Sequence, residues 1–181
     1  MRRDTMLLFS RFKAKSQPYV PEEELRKYCC AFTGHRPEKL YGQEAYVIVE
    51  LRKAIEAAVV EGYTTFVTGC SRGVDLWAAD IVIEMRRHND RLKLICAIPF
   101  EGFENNWPVD WKKHLELIKN QADWIQVISK EYHANTYMER NAWMVNRSSK
   151  IIAVCNGKPS GTLNTVRYAE TKNVSIHIIP V

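Results

Sequence analysis

The feature that most constrains this chain is a series of six short apolar runs, each closed by a turn signal and separated from the next by a helical pattern. Residues 28–33 (YCCAFT) stop at Gly34, residues 64–68 (TTFVT) at Gly69, and residues 92–98 (LKLICAI) at Pro99. Residues 124–128 (WIQVI), residues 150–155 (KIIAVC, stopped by Asn156 and Gly157) and residues 175–179 complete the series. Runs that are continuously apolar, not alternating, build strands buried on both faces, the mark of a parallel sheet. Between them, residues 43–61 carry apolar side chains at 47, 48, 51, 54, 55, 58 and 59, a helical face with Gly62 as its stop. Residues 74–88, 111–120, 137–147 and 162–171 read as four further helices. Strand and helix in alternation predict an α/β chain: a Rossmann-like, three-layer α/β/α domain with a mostly parallel six-stranded sheet. Right-handed crossovers and a strand order of 3-2-1-4-5-6 are expected.

The chain has 181 residues and a formal net charge of +5, so the location of that charge decides what it means. Residues 1–27 hold seven Lys/Arg against four Asp/Glu, whereas the remaining 154 residues carry 19 against 17. The division expected is a basic N-terminal extension, 1–27, and one domain, 28–181, whose near-neutral body gives little support to a dedicated DNA-binding face. The five cysteines, Cys29, Cys30, Cys70, Cys96 and Cys155, are odd in number and contain no C-x-x-C pair, which argues against a disulfide framework or a zinc site. Cys70 beside a helix start is read as a small apolar turn residue. His35, His88, His114, His133 and His177 show no ligand spacing, so no metal is expected. No apolar stretch approaches the roughly 20 residues of a membrane span, and the apolar patch Met6 to Phe9 is short for a signal-peptide core. The expected location is cytoplasmic, with no membrane contact.

Three strand ends carry glycine-bearing turns: TGHRPEKL (33–40), TGCSRGVD (68–75) and CNGKPSGT (155–162). In an open parallel sheet, ligands bind beyond the carboxyl ends of the strands. Glycines there let backbone N–H groups approach a ligand, and the helix that follows presents unpaired N–H groups and a partial positive charge. Each dipole contributes only about 0.3–1 kcal/mol, and each hydrogen bond to a charged partner adds about 1.5–3 kcal/mol. Several together, with stacking, reach the roughly 8 kcal/mol of micromolar binding. A shared anion or nucleotide pocket is the reading that unites the three turns.

At these residues the sequence resembles the SLOG superfamily (the Smf/DprA and LOG group), and within it the YpsA-like family, over about residues 28–181. TGCSRGVDLWAAD (68–80) is similar to the DprA segment leading into an Ala-rich helix, and closer still to the YpsA form. PFEGFENNW (99–107) matches a YpsA-like stretch. ERNAWM (139–144) resembles the Arg-Asn of DprA and the Arg-x-x-x-Met of LOG proteins, and NGKPSGT (156–162) resembles the superfamily's phosphate-holding loop. The resemblance implies a Rossmann-like fold, frequent homodimers, and ligands that are nucleotides, nucleotide-sugars or single-stranded DNA.

The first functional reading is binding, as sensing or sequestration, of a nucleotide or ADP-ribose-like phosphorylated small molecule, with no other cofactor required. Gly69, Ser71, Gly73 and the loop Asn156, Gly157, Ser160, Gly161 and Thr162 would hold phosphate. Arg36, Arg72 and Arg140 would pair with charge, since a guanidinium grips phosphate at two points. Thr33, Gly34, His35, Pro99 and Asn141 complete the candidate set, His35 in contact with a base. Asp75 would accept from a ribose hydroxyl or cap its own helix. The second reading is a LOG-like nucleoside monophosphate phosphoribohydrolase. It departs from the pattern where the family glutamate after Gly-Thr falls on Thr165, which is no acid; Glu101, Glu104 or Asp75 would have to stand in. No catalytic residue is assigned, and the chain is expected to bind more than to hydrolyse. The third reading is single-stranded DNA binding, as in DNA-processing protein A, using Arg2, Arg3, Arg11, Lys13 and Lys15 of the extension with Trp107 and Trp111 as stacking faces.

Overall fold

The computed structural model describes residues 22–181, so the basic side chains of the first fifteen residues lie outside the described residues. The elements follow in the order α1 (Glu22–Arg26), β1 (Cys29–Gly34), a 3-10 turn (Pro37–Lys39), α2 (Glu44–Val60), β2 (Thr65–Thr68), α3 (Val74–Arg86) and β3 (Lys93–Phe100). They continue with α4 (Val109–Gln121), β4 (Trp124–Ser129), α5 (Thr136–Asn146), β5 (Lys150–Cys155), α6 (Gly161–Thr171) and β6 (Ser175–Pro180). All six strands pair in parallel. The α/β Rossmann-like architecture is as expected.

The strand order is β4-β3-β2-β1-β5-β6, which corrects the 3-2-1-4-5-6 expected from sequence. It is β5, not β4, that lies beside β1, and β4 continues outward from β3 to become an edge. The side chains explain the exchange. Every residue of β5 is buried, as a strand with two neighbours requires, whereas no residue of β4 is, and Trp124 and Ile125 are exposed. Gln126 interrupts the apolar run of β4 and donates to the Val127 carbonyl, a polar residue an edge tolerates and a centre does not.

This order makes the chain run outward from β1 to β4 and then cross back to β5. One crossover handedness combined with a reversed direction puts the later helices on the opposite face. Accordingly Phe32, Phe66, Leu94, Leu51, Ile55 and Ile83 form the core beneath α2, α3 and α4. The other face is lined by Ala31, Val67, Ala97, Ile151 and Ala153, with Met144, Val145 and Val166 from α5 and α6. Three alanines on that second face bring α5 close to the sheet. At the opposite end from the strand carboxyl termini, Arg26 of α1 donates to the carbonyls of Ser148 and Lys172, so this part of the basic extension is seated on the domain body. Among the described residues no helix is long and apolar enough to cross a membrane.

The reversal between β1 and β5 opens a crevice at their carboxyl ends, and one glycine there is structural. A Cβ on Gly34 would overlap the Val74 side chain at the start of α3. Gly34→Ala is therefore expected to cost about 1–3 kcal/mol by overpacking, read as a melting temperature several degrees lower; an unchanged melting temperature would show that α3 yields freely.

Candidate functional site

The crevice is a cavity of about 280 Å³. Phe32, Thr33 and Gly34 of β1 form one wall with His35, Arg36 and Lys39 of the turn that follows; Ser160, Gly161 and Thr162 at the start of α6 form another. Ser71 and Asp75 close it from the β2–α3 side, and Tyr137, Arg140 and Asn141 from α5. Eleven of the seventeen residues chosen from the sequence thus face one space.

The floor is a buried polar cluster. Arg140 and Asp75 are each only 5% exposed, and their Nη1 and Oδ2 atoms lie 3.7 Å apart. The Arg140 guanidinium donates to the Gly69 carbonyl through Nη1 and to the Ser71 hydroxyl through Nη2, at 3.3 Å. Asp75 Oδ2 accepts the Ser71 N–H at 3.1 Å. Asp75 therefore ties down the turn ahead of α3 and does not cap that helix, whose N-cap is Gly73 with no side-chain hydrogen bond. Burial raises the Asp75 carboxyl to about 6, with Arg140 opposing the rise, and burial lowers the Arg140 guanidinium from its ordinary value, with Asp75 opposing. Thr68 completes the turn: its hydroxyl donates to the Asp75 carbonyl at 2.8 Å and accepts the Cys70 N–H at 3.2 Å. Cys70 adopts φ +60° and is fully buried. Burial and the neighbouring Cys96 thiol push its thiol well above the ordinary value, which fits the apolar turn role.

The opposite wall presents donors. The Ser160 hydroxyl accepts the Leu163 N–H at 3.1 Å and caps α6, leaving the N–H groups of Gly161 and Thr162 ahead of the first intrahelical bonds. A Cβ on Gly161 would meet nothing within 4 Å. His35 is 4% exposed, and its Nε2 has no hydrogen-bond partner; burial lowers its pKa, with Asn156 opposing. This is a buried polar atom on the cavity wall that the described residues leave without a partner.

The remaining six residues stand off the cavity. Gly69 is packed beneath Arg140, and Gly73, at φ +88°, turns the chain against Pro37. Arg72 pairs with Glu38 at 2.7 Å and lies over the Trp107 ring. Pro99 is buried within β3. Asn156 shapes its own loop by accepting the Lys158 N–H, and Gly157 turns that loop at φ +73°. Trp107 and Trp111 belong to ring clusters with Phe103 and Trp77, and neither lines the cavity. Sequence reasoning missed Phe32, Lys39 and Tyr137. The signal for Lys39 was its position three residues after Arg36, and for Tyr137 its position three residues before Arg140 on one helix face.

Thr165, at the position of the LOG glutamate, is buried; its hydroxyl donates to the Gly161 carbonyl at 2.9 Å and accepts from Asn141 at 2.8 Å. Of the possible substitutes, Glu101 is exposed and Glu104 sits 3.9 Å from Lys119. Asp75 is the one carboxylate on the cavity wall.

The YspA SLOG family model, YpsA, matches residues 30–181. The chain belongs to this family. Among similar proteins, a UPF0398 protein of Bacillus cereus (strain ATCC 14579) is 27% identical over 140 residues, 73% of this chain and 76% of that protein. A UPF0398 protein of Bacillus thuringiensis (strain Al Hakam) is 28% identical over 128 residues, 70% of each. Among solved structures, DNA processing protein A from Streptococcus pneumoniae superposes with a TM-score of 0.61 at 19% identity over 87% of this chain, which spans about half (52%) of that protein's length. The Helicobacter pylori protein of the same name, described for its single-stranded DNA binding mode, gives 0.59 at 17% identity over 88% of this chain and 68% of its own. Both share the fold.

Asp75 carries a pH signature. Its folded pKa stands above its unfolded value, so the native state holds the proton more tightly, and the associated stability is present at low pH and lost as pH rises from about 4 to about 6. The loss is on the order of 2–3 kcal/mol. Asp75→Asn, which mimics the protonated carboxyl and does not titrate, is expected to flatten that slope in denaturant titrations run across this window. An unchanged slope would show that Asp75 is not the titrating group.

Proposed function

We propose that this SLOG domain binds a phosphorylated, nucleotide-like small molecule, with phosphate at the start of α6, and that it acts by sensing or sequestering that ligand. One observation carries the reading: at the crevice where the strand order reverses, the α6 N–H groups ahead of the first intrahelical bonds, the orphaned His35 Nε2 and two exposed cations that form no salt bridge among the described residues, Arg36 and Lys39, share one cavity. That is where open α/β sheets take ligands and where helix N-termini take anions. A volume of about 280 Å³ lies at the small end of ligand pockets, roughly 300–1,000 Å³. It favours a single nucleotide over a strand of DNA, the ligand class named for the Helicobacter relative. Binding without hydrolysis is supported by the bonded Thr165 hydroxyl and by Asp75, the wall's one carboxylate, being committed to Arg140 and Ser71.

The test is a thermal-shift panel of AMP, ADP, cyclic nucleotides and ADP-ribose on the full chain. A ligand at about one hundred times its Kd stabilises by about 2.7 kcal/mol, a rise of several degrees for a chain of this size. Gly161→Asp places a carboxylate where the phosphate would lie, into open space, so it is expected to abolish the shift and leave the unliganded melting temperature unchanged. A shift surviving in that variant, or none in the parent with any compound, would overturn the reading.

A further inference from the structure

The charges around the cavity divide into two groups, and the division names a feature of the ligand. Of the three arginines nominated from sequence, Arg140 is spent on Asp75, Gly69 and Ser71, and Arg72 is spent on Glu38 and Trp107, away from the cavity. Glu38 makes its salt bridge with Arg72, and Arg36 acts on it only through space. Arg36 and Lys39 are exposed at the mouth, and among the described residues no carboxylate lies within 4 Å of either. Both belong to one short turn: the Lys39 N–H donates to the Arg36 carbonyl at 2.9 Å, and both side chains line the cavity. Arg36 and Lys39 line the same cavity as Asp75, Arg140 and His35. The donors of the α6 start and His35 form a second group, with His35 and Thr162 buried and Gly161 exposed.

Resting on the phosphate-binding reading above, we infer that the ligand carries two linked phosphates. The inner one sits at Gly161, Thr162 and His35, and the outer one is held at the mouth by Arg36 and Lys39. A single-nucleoside diphosphate has the required chemistry: two adjacent oxyanion groups, one on backbone N–H donors and one at the mouth between two exposed cations.

The experiment measures affinity of the full chain for inorganic phosphate, pyrophosphate, AMP and ADP by calorimetry, in the parent and in the double variant Arg36→Ala/Lys39→Ala. The parent is expected to prefer pyrophosphate over phosphate, and ADP over AMP, by about tenfold or more. In the variant both preferences should collapse toward unity because pyrophosphate and ADP lose more affinity than phosphate and AMP, and the melting temperature should be unchanged, as surface positions predict. Equal affinity for one and two phosphates in the parent would overturn the inference and leave the phosphate-binding reading standing. Loss of phosphate and AMP binding in parallel with pyrophosphate would place both cations on the inner group and also overturn it. An oligothymidylate that binds more tightly than ADP through the same two side chains would assign the outer group to a polynucleotide instead. If none of the probes binds the parent, the inference and the proposed function fail together.

Discussion

The cavity depends on one buried contact, the charge cluster that Arg140 makes beneath it. This guanidinium leaves α5, on one face of the sheet, and reaches the turn between β2 and α3, whose helix packs on the other. It is the polar link between the two layers at the carboxyl ends of the strands. An arginine buried to this degree is tolerated only with a counter-charge and saturated donors, and Asp75, Gly69 and Ser71 supply them. Gly69 is glycine for this reason: any side chain there would occupy the space of the guanidinium.

From that contact follows the electrostatic character of the site. Because Asp75 and Arg140 cancel each other at the floor, the cavity's net attraction for an anion comes from its rim and from backbone dipoles. Backbone N–H groups at the α6 start are fixed by the helix, and the Ser160 cap keeps that first turn formed, so they are oriented before any ligand arrives. Arg36 and Lys39 are mobile by chemistry, exposed on a short turn. A rigid inner wall and an adaptable outer one suit a ligand recognised by its charged end.

The three glycine turns show how far local sequence carries a site. All three sit at strand carboxyl ends, as the apolar runs predicted, yet their glycines do different work. Gly34 makes room for Val74, Gly69 for Arg140, and Gly73 lets the chain turn against Pro37. Gly161 alone opens onto the cavity with space beside it. A glycine in a sequence reports that a side chain is excluded; whether a ligand, a neighbouring helix or a φ angle excludes it depends on what the fold brings there. The same holds for the arginines. Three were candidate phosphate clamps, and only Arg36 keeps its charge uncommitted, because the partners of the other two come from residues 71 and 34 positions away in the chain.

What the sequence determined by itself is the layered α/β fold, the six strands and the five helices between them to within two residues, and the placing of the glycine turns at the carboxyl ends of the strands. These follow from local period, length and turn chemistry, which act within a few residues. The placement of β5 beside β1, the commitment of Arg140 and Arg72, and the recruitment of Tyr137 and Lys39 to the cavity were decided only by tertiary structure. Each depends on which strand finds two neighbours and which charge finds a counter-charge across the sheet. Those are energies between segments distant in sequence, and no window along the chain contains them.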